Sequence, residues 1–186
     1  MTDLIELLKK SMKDKLNNLK NNLSNKIWYE KQYQIEPYLS EERGNLKGAS
    51  KLLLKPRNTK EVSEILKICH QNKISLVPQG GRTGLSGGTI PNPKKNEVII
   101  SMENMNKILS IDKNNFSLTA QAGCTLINIK KFSQNSRMYF PLNLPSKESC
   151  TIGGNIASNA GGSNVLKYGM TRELVLGLEI VLPDGR

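Results

Sequence analysis

Pro78-Gln79-Gly80-Gly81-Arg82-Thr83-Gly84-Leu85-Ser86-Gly87-Gly88 is the stretch on which the reading of this chain turns. Its counterpart is Thr151-Ile152-Gly153-Gly154-Asn155-Ile156-Ala157-Ser158-Asn159-Ala160-Gly161-Gly162, and the two windows hold nine of the fifteen glycines. Without a Cβ, backbone reaches left-handed conformations and approaches a ligand closely. Successive turned N–H groups form a concave anion site suited to phosphate. Two such windows predict two loops closing on one phosphate-bearing ligand. Tight turns without a ligand are the plainer reading. Against it, the first window runs directly out of a strand pattern and is bracketed by Pro78 and Pro91. The second carries Asn155 and Asn159, which tolerate left-handed backbone and can hydrogen-bond a ligand.

Spacing excludes two common phosphate sites. No two glycines stand two positions apart, so the G-x-G-x-x-G dinucleotide fingerprint is absent. No G-x-x-x-x-G-K-[S/T] run occurs either, which removes the P-loop.

Around these windows the sequence predicts an α/β lobe followed by an antiparallel one. Leu52 to Leu54 is a short apolar run, and Asn58-Thr59-Lys60-Glu61 reads as a helix start with a reciprocal cap. Val62, Ile65, Leu66 and Cys69 then follow at helical spacing. Ile74 to Val77 and Glu97 to Ser101 read as strands, and this order of elements indicates parallel pairing. Beyond them, Ile108 to Ile111 and Phe116 to Ala122 read as antiparallel strands. A short helix with Leu126, Ile129 and Phe132 on one face comes next, and Leu174 to Leu182 reads as a last strand. Asp184-Gly185 after a strand signals a hairpin, which predicts a longer parent protein or a shortened version of one.

Ahead of this body, residues 3 to 27 carry Leu4, Leu8, Met12, Leu16, Leu19, Leu23 and Ile27 at helical spacing. A helix packing that stripe on the rest of the protein is expected, with a membrane-surface helix or dimer seam as the sharper alternative. Residues 28 to 50 read as an irregular connection. The expected division is therefore 1–45, an N-terminal helical extension, and 46–186, the main domain.

Composition bounds the function further. With 186 residues, 37% hydrophobic, the chain can bury a sizeable core, in one body or two lobes. No run approaches the length of a membrane helix, and Lys9, Lys10, Lys13 and Lys15 interrupt any secretory signal. Cys69, Cys124 and Cys150 are odd in number and widely spaced, which reads as free thiols in a reducing, cytoplasmic setting. The net charge of +11 raises nucleic acid as a partner, but the lysines are scattered and no aromatic residues alternate with them, so none is expected. Attraction to anionic ligands or a membrane periphery stays open.

At the first window the sequence resembles the pyrophosphate-binding loop of FAD-linked oxidases with the vanillyl-alcohol-oxidase, PCMH-type flavin domain. Within that superfamily it is most similar to the D-lactate, glycolate and D-2-hydroxyglutarate dehydrogenase branch. Thr151 to Asn155, Asn159 to Gly162, Lys167-Tyr168-Gly169 and Val175 to Gly185 match the same family in order, so the likeness covers roughly residues 50 to 186. It implies an α+β, two-lobed PCMH-type FAD-binding domain, a small parallel α/β lobe plus a mainly antiparallel one, C-terminally incomplete, with FAD between the lobes.

The resemblance also implies roles. Backbone N–H groups of Gly80, Gly81, Arg82, Thr83 and Gly84, entered from Pro78, would hold the pyrophosphate, and the Thr83 hydroxyl would add a donor. Gly87 and Gly88 would turn the chain beneath the cofactor. Thr151, Gly153, Gly154 and Ser158 would lie along the ribityl chain and ring, with Gly161 and Gly162 leaving room for it. Ile180 would neighbour the adenine end or simply pack in the core. Gly81→Asp would set a charge against the pyrophosphate.

Some relatives bind flavin covalently through a histidine in the first loop. Here Arg82 stands in that window and the one histidine, His70, falls in the predicted helix, so noncovalent FAD is implied. In the family a cap domain supplies the substrate-binding groups and any metal ligands, from the same or a separate chain. No catalytic base and no metal cluster is evident here, and Tyr168 reads as a packed aromatic or a donor near the ring. The implied function is the FAD-binding portion of an oxidoreductase that converts a D-2-hydroxy acid to a 2-keto acid. A flavin-binding fragment without activity is the alternative, and a basic interaction module a more distant one.

Overall fold

The computed structural model describes the backbone of residues 2–186 and the side chains from residue 11 onward. The chain forms two units, one of Met1–Pro78, Gly84–Ser101 and Ile180–Arg186, the other of Gln79–Thr83 and Met102–Glu179.

In the first unit, helix α1 (Thr2–Asn21) is followed by β1 (Trp28–Tyr29), α2 (Gln32–Ile35) and a 3-10 turn, Glu36–Tyr38. Strand β2 (Leu53–Leu54), helix α3 (Thr59–Asn72), β3 (Leu76–Gln79) and β4 (Val98–Ser101) complete it. The stripe of α1 does pack inward: Leu19 is fully buried, and Leu23 and Ile27 continue it past the helix end. Leu4 and Leu8 lie outside the described side chains.

The sheet runs β1-β2-β4-β3. Leu53 and Leu54 pair in parallel with Ile99 and Ile100, as the element order predicts. All four β4 residues are buried, which explains an apolar run without alternation. Pro78 lies on β3, an outer strand of the sheet, the position where a residue without N–H is tolerated.

One expectation needs correction here. Residues 28–50 are not simply irregular: β1 adds an antiparallel strand, and Ile35, Tyr38 and Leu39 form a core with Leu53 and Ile99. Two- to four-residue elements leave no periodicity to read, so their burial was invisible in the sequence.

Helix α3 starts at the predicted cap, where Asn58 Oδ1 accepts from the Glu61 N–H at 2.9 Å. Glu61 returns not to Asn58 but to the Arg57 N–H, at 2.7 Å. Val62, Ile65 and Cys69 are its buried face, and His70 is exposed in the last turn. Burial pushes the Cys69 thiol up to about 12 from an ordinary 9.0. Folding thus suppresses its ionisation, and the stability this confers is full below pH 9 and declines as pH rises toward 12. Iodoacetamide at pH 8 is expected to spare Cys69 in the folded chain and label it in urea, read by peptide mass. Rapid labelling of the native protein would refute the burial.

In the second unit, β5 (Ile108–Asp112) and β6 (Ser117–Ala120) form the predicted antiparallel hairpin. Its turn is fixed by Asp112 Oδ1, which accepts from the N–H groups of Asn114 and Asn115 at 2.9 and 3.1 Å. Helix α4 (Leu126–Asn135) begins at Thr125, whose Oγ1 accepts from the Asn128 N–H at 3.4 Å. Leu126 and Ile129 face inward, but Ser133, not Phe132, completes the buried stripe. Leu126 packs with Leu142 and Cys150 in the core of this unit, joined by Phe140, Leu144 and Leu174. Helix α5 (Ile152–Ala157), α6 (Val165–Tyr168) and a 3-10 turn, Thr171–Leu174, follow.

The strand predicted over Leu174 to Leu182 is not formed. Leu174 ends the 3-10 turn, and residues 175–182 pair with no strand among the described residues. Alternating aliphatics report a face that suits burial, whereas a strand also requires a ladder partner. Leu176, Leu178 and Ile180 are accordingly exposed, at 77%, 60% and 67%. For Ile180 this removes the core-packing reading.

No helix among the described residues is long and apolar enough to cross a membrane.

Candidate functional site

The second unit holds Gly80 to Thr83 of the first glycine window beside the start of the second. Strand β3 delivers the chain into Gln79, which is 1% exposed, and Gly80 to Thr83 then run beside residues 149–154. The contact is too close for side chains. A Cβ on Gly80 would stand 2.3 Å from Thr151 Oγ1, and one on Gly81 would stand 1.9 Å from the carbonyl oxygen of Ser149. Glycine at these two positions is therefore demanded by the protein itself, whatever ligand also approaches.

The partner segment is held from behind. Thr125 and Thr151 form an antiparallel bridge, flanked by Leu126 N–H to Cys150 O at 3.0 Å and Ile152 N–H to Cys124 O at 2.8 Å. Cys124 is fully buried, and that burial raises its thiol above the ordinary value. The Gly153 N–H donates to Ala122 O at 2.9 Å, which seats the start of α5 on the chain leaving β6.

Two features of this cluster stand out physically. Arg82 has φ 56, a left-handed conformation that non-glycine residues adopt rarely. Thr151, 5% exposed, has a buried hydroxyl with no hydrogen-bond partner among the described residues.

The remaining predicted residues sort as follows. Gly154 sits 3.3 Å, measured from a built Cβ, from Thr151 Oγ1, and the Ser158 hydroxyl donates to Gly154 O at 2.8 Å. Gly161 and Gly162 lie past α5, and Gly162 has φ +100 with Asn143 O filling the place of a Cβ. Asn155 and Asn159 serve the fold: Asn155 Nδ2 meets Cys150 Sγ at 3.6 Å, and Asn159 Oδ1 accepts from the Arg172 N–H at 3.0 Å. Tyr168 is exposed, its ring 6.0 Å from that of Tyr139 and with Lys167 Nζ 5.4 Å from its centroid.

Pro78, Gly84, Gly88 and Ile180 belong to the first unit. Gly84 and Gly88 are exposed with no protein atom within 4 Å of a built Cβ, so packing does not explain them. Sequence reasoning missed Ser149 and Cys150, which shape the cluster through backbone atoms alone. A backbone contact leaves no signature in residue type, so no signal could have found them.

Comparison with known proteins agrees with this geometry. Residues 50–186 match the family described as FAD binding domain. A probable mitochondrial D-2-hydroxyglutarate dehydrogenase of Oryza sativa subsp. indica is 49% identical over 142 residues, covering 76% of this chain and 25% of the relative. The mitochondrial D-2-hydroxyglutarate dehydrogenase of Bos taurus is 44% identical over 152 residues, covering 82% and 28%. The chain thus spans about a quarter of the length of the curated relatives it matches. Among solved structures, an alkyldihydroxyacetonephosphate synthase superposes with TM-score 0.79 at 21% identity, over 88% of this chain and 32% of that one. A p-cresol methylhydroxylase does so with TM-score 0.76 at 19% identity, over 95% and 35%. At such identities the likeness is one of fold.

The expected cytoplasmic setting is corrected by the same comparison, because relatives from Oryza, Bos, Arabidopsis and Danio are named mitochondrial. Cysteine usage reports redox conditions and cannot distinguish one reducing compartment from another.

Proposed function

The chain belongs to the FAD binding domain family, of PCMH type, with FAD as its cofactor, and from that premise we propose that it is the FAD-holding portion of a D-2-hydroxy-acid dehydrogenase. The main domain in this reading is 46–186, with 1–45 as its N-terminal helical extension. A mitochondrial location is the one the relatives' names support.

The observation that carries the reading is the cluster of Gly80–Thr83 with Thr151 in one unit. Its residues suit FAD on three counts. Backbone without side chains at Gly80 and Gly81, a left-handed turn at Arg82 and the N–H groups of Gly80 to Thr83 form the kind of donor set a pyrophosphate requires. The Thr83 hydroxyl adds a donor. The Thr151 hydroxyl, buried and unpartnered, adds a second group able to bond a polar ligand. Gly153, Gly154, Ser158, Gly161 and Gly162 complete the residues assigned to the cofactor in this unit, while Pro78, Gly84, Gly88 and Ile180 remain assigned on family pattern.

Bound FAD would accept a hydride from the carbon bearing the hydroxyl of a D-2-hydroxy acid, leaving the 2-keto acid once the hydroxyl proton is taken by a base. No residue of this chain is assigned as that base. What these residues contribute is binding and orientation. The loop N–H groups would bond the pyrophosphate, and the bridge between Thr125 and Thr151 would hold the second window in place beside them. The first window holds no histidine, so binding is noncovalent.

The test is FAD uptake by the purified chain, followed by flavin fluorescence. Saturable binding is expected, with all flavin released on denaturation. Raising FAD to a hundredfold excess over Kd should stabilise the chain by about 2.7 kcal/mol. A chain that takes up no FAD sinks the proposal. Anaerobic D-2-hydroxyglutarate and D-lactate then test the substrate class. Bleaching supports catalysis by this portion, and its absence in a loaded chain supports the reading of a cofactor-holding portion without activity of its own.

A further inference from the structure

Glu41 carries a carboxylate that the proposed site does not use, yet it is only 5% exposed. Its Oε2 accepts from the Arg43 N–H at 2.7 Å, and its Oε1 accepts from the Asn45 N–H at 2.7 Å. The Glu41 carbonyl accepts from the Gly44 N–H at 3.0 Å, where the chain turns at φ +72. Backbone N–H groups gathered on one anion form a nest, filled here by the chain's own side chain. The ends of this loop are tied as well, by the bridge between Ser40 and Lys47 and by the Gly48 N–H, which donates to Leu39 O at 2.7 Å.

The loop so organised packs on the far part of the first glycine window, and both belong to the first unit. Leu46 Cδ1 lies 2.5 Å from where a Cβ on Gly87 would stand. Two residues on, a Cβ at Gly48 would stand 2.3 Å from Pro91 O and 2.9 Å from Ile90 Cγ2. Between these contacts the window makes a turn, closed by the Ile90 N–H on Gly87 O at 3.0 Å. Leu46 and Gly48 thus meet that turn at its two ends. Gly84 and Gly88 differ, since no protein atom lies within 4 Å of a Cβ built on either.

We propose that Glu41 is a positioning residue for the cofactor: it shapes residues 42–46 so that Leu46 seats on Gly87 and holds the exposed part of the first window in its binding position. The proposal rests on the FAD site assigned above. It adds a residue some forty positions upstream of the window, outside the stretch assigned to the cofactor. The physical reason is preorganisation. A loop of small residues gains little from its own side chains, so ordering it on binding costs affinity unless another segment has ordered it already. Fixing the Asn45 N–H fixes the backbone next to Leu46, and the Leu46 side chain carries that constraint to the window.

The experiment compares Glu41→Gln, Leu46→Ala and Leu46→Met with the unsubstituted chain, by amide hydrogen exchange of the cofactor-free protein and by fluorescence titration with FAD. Glu41→Gln puts an NH2 group where one N–H acceptor stood, and Leu46→Ala removes the contact itself. Both should speed exchange in the peptide covering residues 84–90 and leave that of α3 unchanged. Both should weaken FAD binding about fivefold, the loss expected when the binding position of the loop is populated about a fifth of the time. Leu46→Met keeps an apolar side chain of similar volume and should retain both properties. Leu46 is 45% exposed, so its variants fold even where Glu41→Gln does not. Unchanged exchange at residues 84–90 in Leu46→Ala overturns the proposal, as does faster exchange there with unchanged FAD affinity. Faster exchange that extends to α3 marks a general loss of stability and overturns it too. An unsubstituted chain that binds no FAD overturns the proposed function instead, and the exchange measurement distinguishes the two failures.

Discussion

Gly81→Ala is expected to lower the melting midpoint of the cofactor-free chain by several degrees, corresponding to overpacking of about 1–3 kcal/mol. The added methyl would stand 1.9 Å from Ser149 O, 2.7 Å from Ser149 C and 2.9 Å from Cys150 Cα. These are backbone atoms, and they cannot turn aside as a flexible side chain would. Ser149 and Cys150 both donate to Ser146 O, at 2.9 and 2.8 Å, and Cys150 O holds the first residue of α4. Either Gln79–Thr83 must lift away or this tied segment must shift. Gly84→Ala is the control, since its methyl meets no protein atom within 4 Å and the midpoint should not move. Differential scanning calorimetry of the two variants decides it. Equal midpoints would mean that the windows are not packed as described. The same geometry disqualifies Gly81→Asp as a probe of the pyrophosphate, because its side chain would collide with the protein before it met any ligand.

Leu126→Ala should cost about 2–5 kcal/mol, the range for emptying a packed leucine site. Leu126 is fully buried against Leu142 and Cys150, and its N–H holds Cys150 O at 3.0 Å. A cavity there loosens the support of residues 149–151, so FAD affinity should fall together with stability. Urea unfolding followed by circular dichroism gives the first quantity. Phe132→Ala on the same helix removes a larger side chain that is 38% exposed, and it should cost far less. A loss for Phe132→Ala as large as for Leu126→Ala would mean that α4 is rotated from the orientation described.

How much of this was legible in the sequence depends on which property carried the signal. Helix α3 was legible because Asn58 and the spacing of Val62, Ile65 and Cys69 are side-chain statements, and the β5–β6 hairpin and α4 announced themselves similarly. The short elements between residues 28 and 50 were not, since two to four residues carry no period. Gly80 to Thr83 of the first window do lie beside the second, but packing within the protein already accounts for part of that approach. Gly80 and Gly81 answer to Thr151 and Ser149 as well as to any ligand, and Asn155 and Asn159 spend their amides on Cys150, Met170 and Arg172. Glycine spacing signals close approach without naming what approaches. The compartment was illegible for a related reason, as thiols respond to redox potential and not to a membrane boundary.

Residues 175–182 carry one consequence beyond recognition or catalysis. The run Val-Leu-Gly-Leu-Glu-Ile-Val-Leu contains no proline and one charge, and its aliphatic residues at 176, 178 and 180 face solvent without a ladder. Such a segment is a template for intermolecular strand addition, the route by which folded chains enter aggregates. The net charge of +11 opposes that encounter by mutual repulsion, and salt at 0.1 M screens the repulsion beyond about 10 Å. Colloidal behaviour of this chain is thus governed by ionic strength, through a segment that contributes little to its folded core.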